Sequence, residues 1–325
     1  MVTKEKIIDA ISKITRPEII TGVVVSGGKV GFALESQDEN LRKACEKAVF
    51  ALPGVEKVTA VLTGVTGNIV VENKEAPVLN RRQPVAGVKK IIAVASGKGG
   101  VGKSTVTVNL AAALAASGKK VGIADADIYG PSIGKMFGTK EKPQLDGALI
   151  HPVKSNGIMI SSMALLIDED NAAIWRGPMA TKALHQLIRG IKWDVEGELD
   201  VLLLDLPPGT GDIQLSLAQH YPIDGVILVS TPQDVAVLDV KKAATMFVRV
   251  DIPILGVVEN MAYFIDPASG NKTHIFGEGG AKRFAANIGV KFLGEVPIKT
   301  SIRENADSGK PEVQKEFSEI VSKLF

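Results

Sequence analysis

A glycine-rich segment that ends in a lysine and a serine is the part of the sequence with the most recognisable chemistry. Residues 97–104 read GKGGVGKS and have the spacing GxxxxGK[ST], with the β-rich run IIAVAS before them and a helical pattern after them. A tight strand-to-helix turn would also favour glycines, but it would not require the lysine and serine at this spacing. The segment therefore predicts a phosphate-binding loop.

The chemistry of this loop follows from its residue types. Glycines let backbone N–H groups point at phosphate oxygens, and the N-terminus of the following helix adds a favourable dipole. Lys103 supplies a positive charge, and the Ser104 hydroxyl is a ligand for Mg²⁺. We therefore expect ATP and Mg²⁺ as cofactors. The predicted nucleotide-binding residues of the loop are Gly97, Lys98, Gly99, Gly100, Val101, Gly102, Lys103, Ser104 and Thr105.

A carboxylate at the end of a later strand is the second predicted component. Asp205 directly follows the apolar run Val201-Leu202-Leu203-Leu204. In P-loop proteins an aspartate after such a strand holds magnesium together with the loop serine or threonine. We expect Ser104 to bind the ion directly and Asp205 to hold it through water.

These residues need a sheet that brings the ends of several strands to one edge. After residue 90, helical patterns alternate with β-rich runs at 91–95, 120–124, 200–205, 225–230, 253–258 and 291–295. Continuous apolar strands separated by helices indicate a mostly parallel sheet that is covered on both faces. The predicted fold class is α/β, with a P-loop NTPase domain of mostly parallel sheet flanked by helices over residues 91–325.

A smaller domain is predicted before it. Residues 1–72 have the pattern of a helix, a β-hairpin, a second helix and a further strand, which indicates a small α+β domain of order α-β-β-α-β. Residues 73–90 combine prolines and basic side chains without a sustained apolar period, which is typical of a solvated linker. Docking of a partner or lipid on Arg81 and Arg82 is the alternative for this stretch.

Composition excludes several classes of partner. Lys and Arg number 38 against 36 Asp and Glu, so the net charge of +2 gives no reason to expect nucleic acid. No apolar run approaches the roughly 18 residues of a membrane span. The single cysteine, Cys45, excludes an intrachain disulfide, and the charged N-terminal segment does not have the pattern of a secretory signal. We expect a cytoplasmic protein without a membrane or nucleic-acid partner.

Three further segments carry a resemblance to a known family. They are DADIYGPS at 125–132, WRGPM at 175–179 and DLPPGTGD at 205–212. Together with the loop, they resemble the Mrp/ApbC family of deviant-Walker ATPases, whose members are described as iron–sulfur cluster carriers. The N-terminal region likewise resembles a domain of cytosolic iron–sulfur assembly factors.

The resemblance implies roles for residues outside the loop. Asp125 and Asp127 would form a first switch near the attacking water and magnesium, and residues 205–212 a second switch that senses the γ-phosphate. Lys98 would reach across a homodimer to the partner's nucleotide. Asn260 and Pro297 would contact the adenine base. The implied catalytic residues are thus Lys98, Lys103, Asp125, Asp127 and Asp205.

The chain departs from the family at the cluster ligands. Where the family commonly carries Cys-x-x-Cys, this chain has Asp266-Pro267-Ala268-Ser269, and neither carboxylate nor hydroxyl resembles the thiolates that hold iron–sulfur clusters. Cys45 is either a packing residue of a helix or one ligand of a cluster completed by another protein. The histidines at 151, 185, 220 and 274 show no metal-ligand spacing.

Three functional hypotheses remain. The first is a homodimeric ATPase that assists iron–sulfur cluster assembly or transfer, with iron–sulfur apoproteins or assembly factors as partners. The second is a nucleotide-gated adaptor without a cluster of its own. The third is a positioning ATPase of the MinD or ParA kind.

Overall fold

The chain folds into two compact units, Met1–Glu75 and Ala76–Phe325. A computed structural model describes residues 3–26, 28–34, 36, 38–62, 82–167 and 177–325. Predictions that concern residues 63–81, Trp175 or Arg176 lie outside this described part of the chain.

In its described residues, the first unit contains a three-stranded sheet and two α-helices. Its elements are α1 (Lys4–Ser12), a 3₁₀ turn (Pro17–Ile19), β1 (Ile20–Ser26), β2 (Lys29–Leu34), α2 (Glu39–Phe50) and β3 (Lys57–Leu62). Strand β2 pairs antiparallel with β1 and parallel with β3. Both helices begin at side-chain caps, Thr3 for α1 and Asp38 for α2, which satisfy N–H groups that the first helical turn cannot pair internally.

The second unit contains the remaining elements. They are β4 (Ile91–Ser96), α3 (Lys103–Ala116), β5 (Val121–Asp125), α4 (Ile133–Met136), β6 (Leu145–Asp146), β7 (Leu149–Ile150), β8 (Val153–Ser155), β9 (Ile158–Ser162), α5 (Met163–Leu166), α6 (Gly177–Arg189), β10 (Val201–Asp205), α7 (Asp212–His220), β11 (Gly225–Ser230), α8 (Asp234–Arg249), β12 (Ile254–Ile265), β13 (Lys272–Thr273), α9 (Gly280–Asn287), β14 (Phe292–Ile298), α10 (Thr300–Ser308) and α11 (Lys315–Leu324).

Nine strands of this unit form one sheet. Their order is β13-β12-β11-β4-β10-β5-β9-β8, with β14 also paired to β12. The pairings between β4, β5, β9, β10, β11, β12 and β14 are parallel, and only β8 and β13 join antiparallel. The carboxyl ends of β4, β5 and β10 therefore meet at one edge. The predicted α/β class is confirmed.

Apolar side chains cover both faces of the sheet. Along β4, Ile91 and Ala93 belong to one buried cluster, while Ile92 and Val94 belong to another. Successive side chains of a strand point to opposite faces, so the two clusters are the cores on either side. None of the helices in the described ranges is long and apolar enough to cross a membrane.

Part of the predicted linker is incorrect. Over residues 82–90 the chain packs on the second unit instead of forming a free connection. Val85 is buried in its core, Val88 forms a β-bridge with Leu199, and Lys89 bonds Asp200 at 2.8 Å. These isolated apolar residues have no periodicity of their own, which is why the sequence pattern resembled a solvated linker.

Candidate functional site: the phosphate loop and its neighbours

The glycine-rich loop connects β4 to α3, as its sequence predicts. Gly100 and Gly102 adopt φ angles of +81° and +80°, a left-handed conformation that is natural for glycine. A Cβ atom at Gly97 would lie 2.1 Å from the backbone of Asp239 in α8, so the loop can pass there only as glycine. The loop borders a cavity of about 210 Å³. Its lining includes Lys98 and Ser104 of the loop, and Asp127 from the segment after β5.

Three side chains of the first helical turns converge on Asp205. The Lys103 ammonium lies 2.7 Å from Asp205 Oδ2, and Ser104 Oγ donates to the same oxygen at 2.6 Å. Thr107 Oγ1 donates to Oδ1 at 2.6 Å. Asp205 is fully buried and Lys103 is 6% exposed, so the lysine charge balances a carboxylate that burial alone would disfavour.

Two hard oxygen donors thus lie side by side at the end of β10. Ser104 Oγ and Asp205 Oδ2, the predicted magnesium ligands, are in contact, and Asp127 Oδ2 lies 3.9 Å from the Lys103 ammonium. Hydroxyl and carboxylate oxygens suit Mg²⁺, which prefers oxygen ligands and retains several waters. The residues present therefore fit a magnesium ion.

Asp125 is the most perturbed carboxylate of this edge. Its Oδ2 accepts hydrogen bonds from the backbone N–H groups of Ser132 and Ile133 and from Ser162 Oγ, while Oδ1 has no partner in the described residues. Complete burial, and then the neighbouring Asp205 charge, raise the pKa of Asp125 to about 7. Burial also raises the pKa of Asp127.

The second switch segment is tied to the phosphate loop through its backbone. Gly209 N–H donates to the carbonyl of Ser96 at 3.0 Å. Gln214, 2% exposed, donates from Nε2 to the carbonyls of Pro207, Pro208 and Gly209. Neither Gln214 nor Thr107 is among the site residues that the sequence predicts. The signal for Thr107 was its position four residues after Lys103, on the same face of α3.

The residues predicted to contact the base meet in a separate cavity. Asn260 and Pro297 both line this space of about 470 Å³, together with Thr105 of the predicted loop residues. Asn260 has a second task, because its Nδ2 donates to the Val101 carbonyl at 2.8 Å and so links β12 to the loop. A Cβ at Gly102 would lie 2.2 Å from that amide nitrogen, which explains why a glycine precedes Lys103.

Residues 266–269, which stand where the resembled family commonly carries Cys-x-x-Cys, form an ordinary turn. Asp266 Oδ1 accepts the N–H of Ala268 at 2.8 Å, and Ser269 Oγ accepts the N–H of Asn271 at 3.3 Å. Cys45 is fully buried in α2 of the first unit, where burial raises the pKa of its thiol. Within the described ranges, no group of three or more His, Cys, Asp or Glu side chains has metal-binding geometry. These residues do not fit an iron–sulfur cluster.

The sequence matches one family model over most of its length. Residues 87–325 match the ParA model, described as NUBPL iron-transfer P-loop NTPase. The iron-sulfur cluster carrier protein of Escherichia coli K12 is 45% identical over 300 residues, covering 90% of this chain and 78% of its own. The mouse iron-sulfur cluster transfer protein NUBPL is 49% identical over 238 residues, covering 72% of this chain and 74% of its own.

Solved structures show the same architecture. A nucleotide-binding protein from Archaeoglobus fulgidus, in complex with ADP, is 41% identical with a TM-score of 0.62, over 71% of this chain and 91% of its own. The cell division ATPase MinD of Pyrococcus furiosus is 22% identical with a TM-score of 0.54, over 72% of this chain and 98% of its own. At that identity the second likeness concerns the fold alone.

Proposed function

Because the chain belongs to the family of NUBPL iron-transfer P-loop NTPases, we propose that it binds and hydrolyses ATP and uses the cycle to assist iron–sulfur cluster assembly or transfer. The observation that carries the ATPase part is the convergence of Lys103, Ser104 and Thr107 on the buried Asp205. The iron–sulfur part rests on relatives whose names state cluster carriage or transfer.

Each residue at this edge has a proposed task. Backbone N–H groups of residues 97–104 surround the phosphates, and Lys103 neutralises charge that spreads over the transferred phosphoryl oxygens. Ser104 directly and Asp205 through water would hold Mg²⁺, which would supply positive charge to stabilise the phosphate oxygens. Asp127, which also lines the phosphate cavity, orients the attacking water.

Asp125 holds the first switch segment in place. Its bonds to Ser132 and Ile133 fix the segment that contains Asp127. The bond from Gly209 to Ser96 ties the second switch to the strand that leads into the loop. A γ-phosphate that orders these two segments would make partner affinity depend on the nucleotide state.

The cluster is cargo that other proteins' thiolates hold. Asp266 and Ser269 lack soft donors, and the Cys45 thiol is buried in the other unit. The partners of this chain are therefore iron–sulfur apoproteins or assembly factors that carry their own cysteines. A homodimer in which Lys98 reaches the partner's nucleotide belongs to this proposal, as does a cytoplasmic location.

The test is a cluster-transfer assay with purified protein. An iron–sulfur apoprotein, a loaded donor and this chain are mixed anaerobically with ATP and Mg²⁺, and both phosphate release and recovery of the apoprotein's activity are followed. We expect ATP to accelerate recovery with the wild type and not with Asp205→Asn. Absence of phosphate release would refute the ATPase, and hydrolysis without effect on transfer would refute the iron–sulfur role.

A nucleotide-gated adaptor without its own cluster is the second candidate. The observation that favours it is the Asp266–Ser269 turn, whose polar groups are satisfied locally. In this case ATP would change the affinity of the chain for an apoprotein without changing the rate of cluster transfer. Pull-down of the apoprotein that differs between ATP and ADP, together with a cluster-transfer rate that ATP does not change, would support this candidate over the first.

A further inference from the structure

The base cavity has an aromatic wall that the sequence analysis did not identify. Besides Asn260 and Pro297, its lining includes Phe276, which is the one aromatic side chain among the described lining residues. Phe276 is half-buried and lies in the connection between β13 and α9. A planar ring at the wall of an apolar cavity is suited to stack on a nucleotide base.

The base cavity and the phosphate cavity adjoin each other. Thr105 and Met136 line both of them. A nucleotide with its phosphates in the glycine-rich loop can therefore extend past these two side chains and place its base in the larger cavity. Phe276 lies along that second part of the path.

The segment that carries Phe276 is fixed at both ends. At its start, His274 Nδ1 lies 3.1 Å from the Ala262 carbonyl. At its end, the Glu259 carboxylate accepts hydrogen bonds from the N–H groups of Gly279 at 3.2 Å and Ala281 at 2.7 Å. Glu259 is only 1% exposed and is adjacent to Asn260 in β12.

Glu259 therefore links the Phe276 segment to β12, the strand that carries Asn260. A buried carboxylate at the N-terminus of α9 satisfies N–H groups that the helix leaves unpaired, and it interacts favourably with the helix dipole. Removing one of its oxygens would free the end of the Phe276 segment. Glu259 itself is not among the residues that line the base cavity.

We propose that Phe276 stacks on the base of the bound nucleotide and that Glu259 is the positioning residue that holds Phe276 there. This inference rests on the proposed nucleotide site and adds a base-binding contact to it. Inorganic tripolyphosphate supplies the phosphates without a base, so it separates the two parts of the site.

The experiment compares dissociation constants for ATP and tripolyphosphate. For Phe276→Ala we expect ATP affinity to fall about tenfold, within the range measured for lost base stacking, with tripolyphosphate affinity unchanged. For Glu259→Gln we expect a smaller loss, again confined to ATP. Ile275→Ala and Glu278→Gln, at exposed neighbouring positions, are controls that should bind both ligands as the wild type does.

Two outcomes would overturn the inference. One is ATP binding by Phe276→Ala within twofold of the wild type, and the other is an equal loss for ATP and tripolyphosphate. Wild type that binds neither ligand would instead refute the proposed nucleotide site. A Phe276→Trp variant gives a second readout, because stacking should quench its fluorescence with ATP but not with tripolyphosphate, and an unchanged signal at saturating ATP would also overturn the inference.

Discussion

Two turns that follow strands of the same sheet use their polar side chains in different ways. At the end of β10, Asp205 bonds Lys103 and Ser104 of α3, which come from a distant part of the sequence, inside the protein. After β12, Asp266 and Ser269 accept hydrogen bonds from backbone N–H groups within their own turn. The first arrangement keeps charged groups ready for a ligand, and the second closes a turn.

The phosphate edge and the turn after β12 differ in the ligands that their side chains can bind. The phosphate edge contains a cation, a carboxylate pair and oxygen donors in contact, all of which nucleotide chemistry requires. The turn after β12, with Asp266 and Ser269, contains none of the thiolates that cluster binding requires. In the proposed function, ATP hydrolysis therefore belongs to this chain and cluster ligation to its partners.

The largest expected effect is at the phosphate edge. Replacing Lys103 by Ala removes the cation next to Asp205 and leaves that carboxylate buried without its counter-charge. We expect ATP hydrolysis to fall by about 100-fold or more, as for loss of a key electrostatic group in other enzymes. Phosphate release measures this, with the exposed Lys140→Ala as control. Retention of a tenth of the wild-type rate would contradict the assigned role.

The second prediction is a gain of cluster binding at the turn after β12. A double variant with Asp266→Cys and Ser269→Cys places two thiols in the turn, and two chains would supply the usual four ligands of one cluster. After anaerobic reconstitution with iron and sulfide, we expect visible absorbance and iron in this variant and none in the wild type. Equal iron in both proteins would show that ligands other than this turn hold the cluster.

The sequence predicts the phosphate edge better than its surroundings because each of its predicted parts has a local sequence signal. The loop and Asp205 are recognisable from spacing and from the strands that precede them. Thr107, Gln214 and Phe276 lie outside these parts, and the fold sets the contacts of each: Thr107 bonds Asp205, Gln214 bonds the carbonyls of residues 207–209, and Phe276 lines the base cavity. The sequence also gives no signal for the short strands β6, β7 and β13, because each has only two residues and two residues are too few to show an alternating period.

A smaller effect on stability is expected at Asp125. Its pKa is raised from 3.8 to about 7, so the unfolded chain loses this proton at lower pH than the folded chain. The ionised carboxylate therefore lowers stability progressively from about pH 4 to pH 7, and the full cost remains above pH 7. We expect Asp125→Asn to be more stable than the wild type at pH 8 by about 1–3 kcal/mol, with the difference vanishing or reversing at pH 4.

Urea unfolding without nucleotide across this pH range measures that difference. Asp212→Asn, at an exposed position of the same edge, controls for the loss of one negative charge. A stability difference that does not change with pH would contradict the perturbed Asp125 carboxylate. Asp125→Asn should also hydrolyse ATP more slowly than the wild type, because Asp125 holds the segment that contains Asp127.

The smallest expected effect is at Cys45. Its side chain packs in the core of the first unit with Ile7, Ile11 and Val49, so Cys45→Ala should lower the free energy of unfolding by about 1 kcal/mol, a usual cost for a small buried truncation. Because burial raises the pKa of the thiol, the native wild type should also react slowly with thiol reagents. We expect ATP hydrolysis and cluster transfer to be unchanged in the variant, since Cys45 supplies packing rather than a ligand. Loss of cluster transfer with hydrolysis retained would contradict this, and would assign ligand chemistry to the first unit.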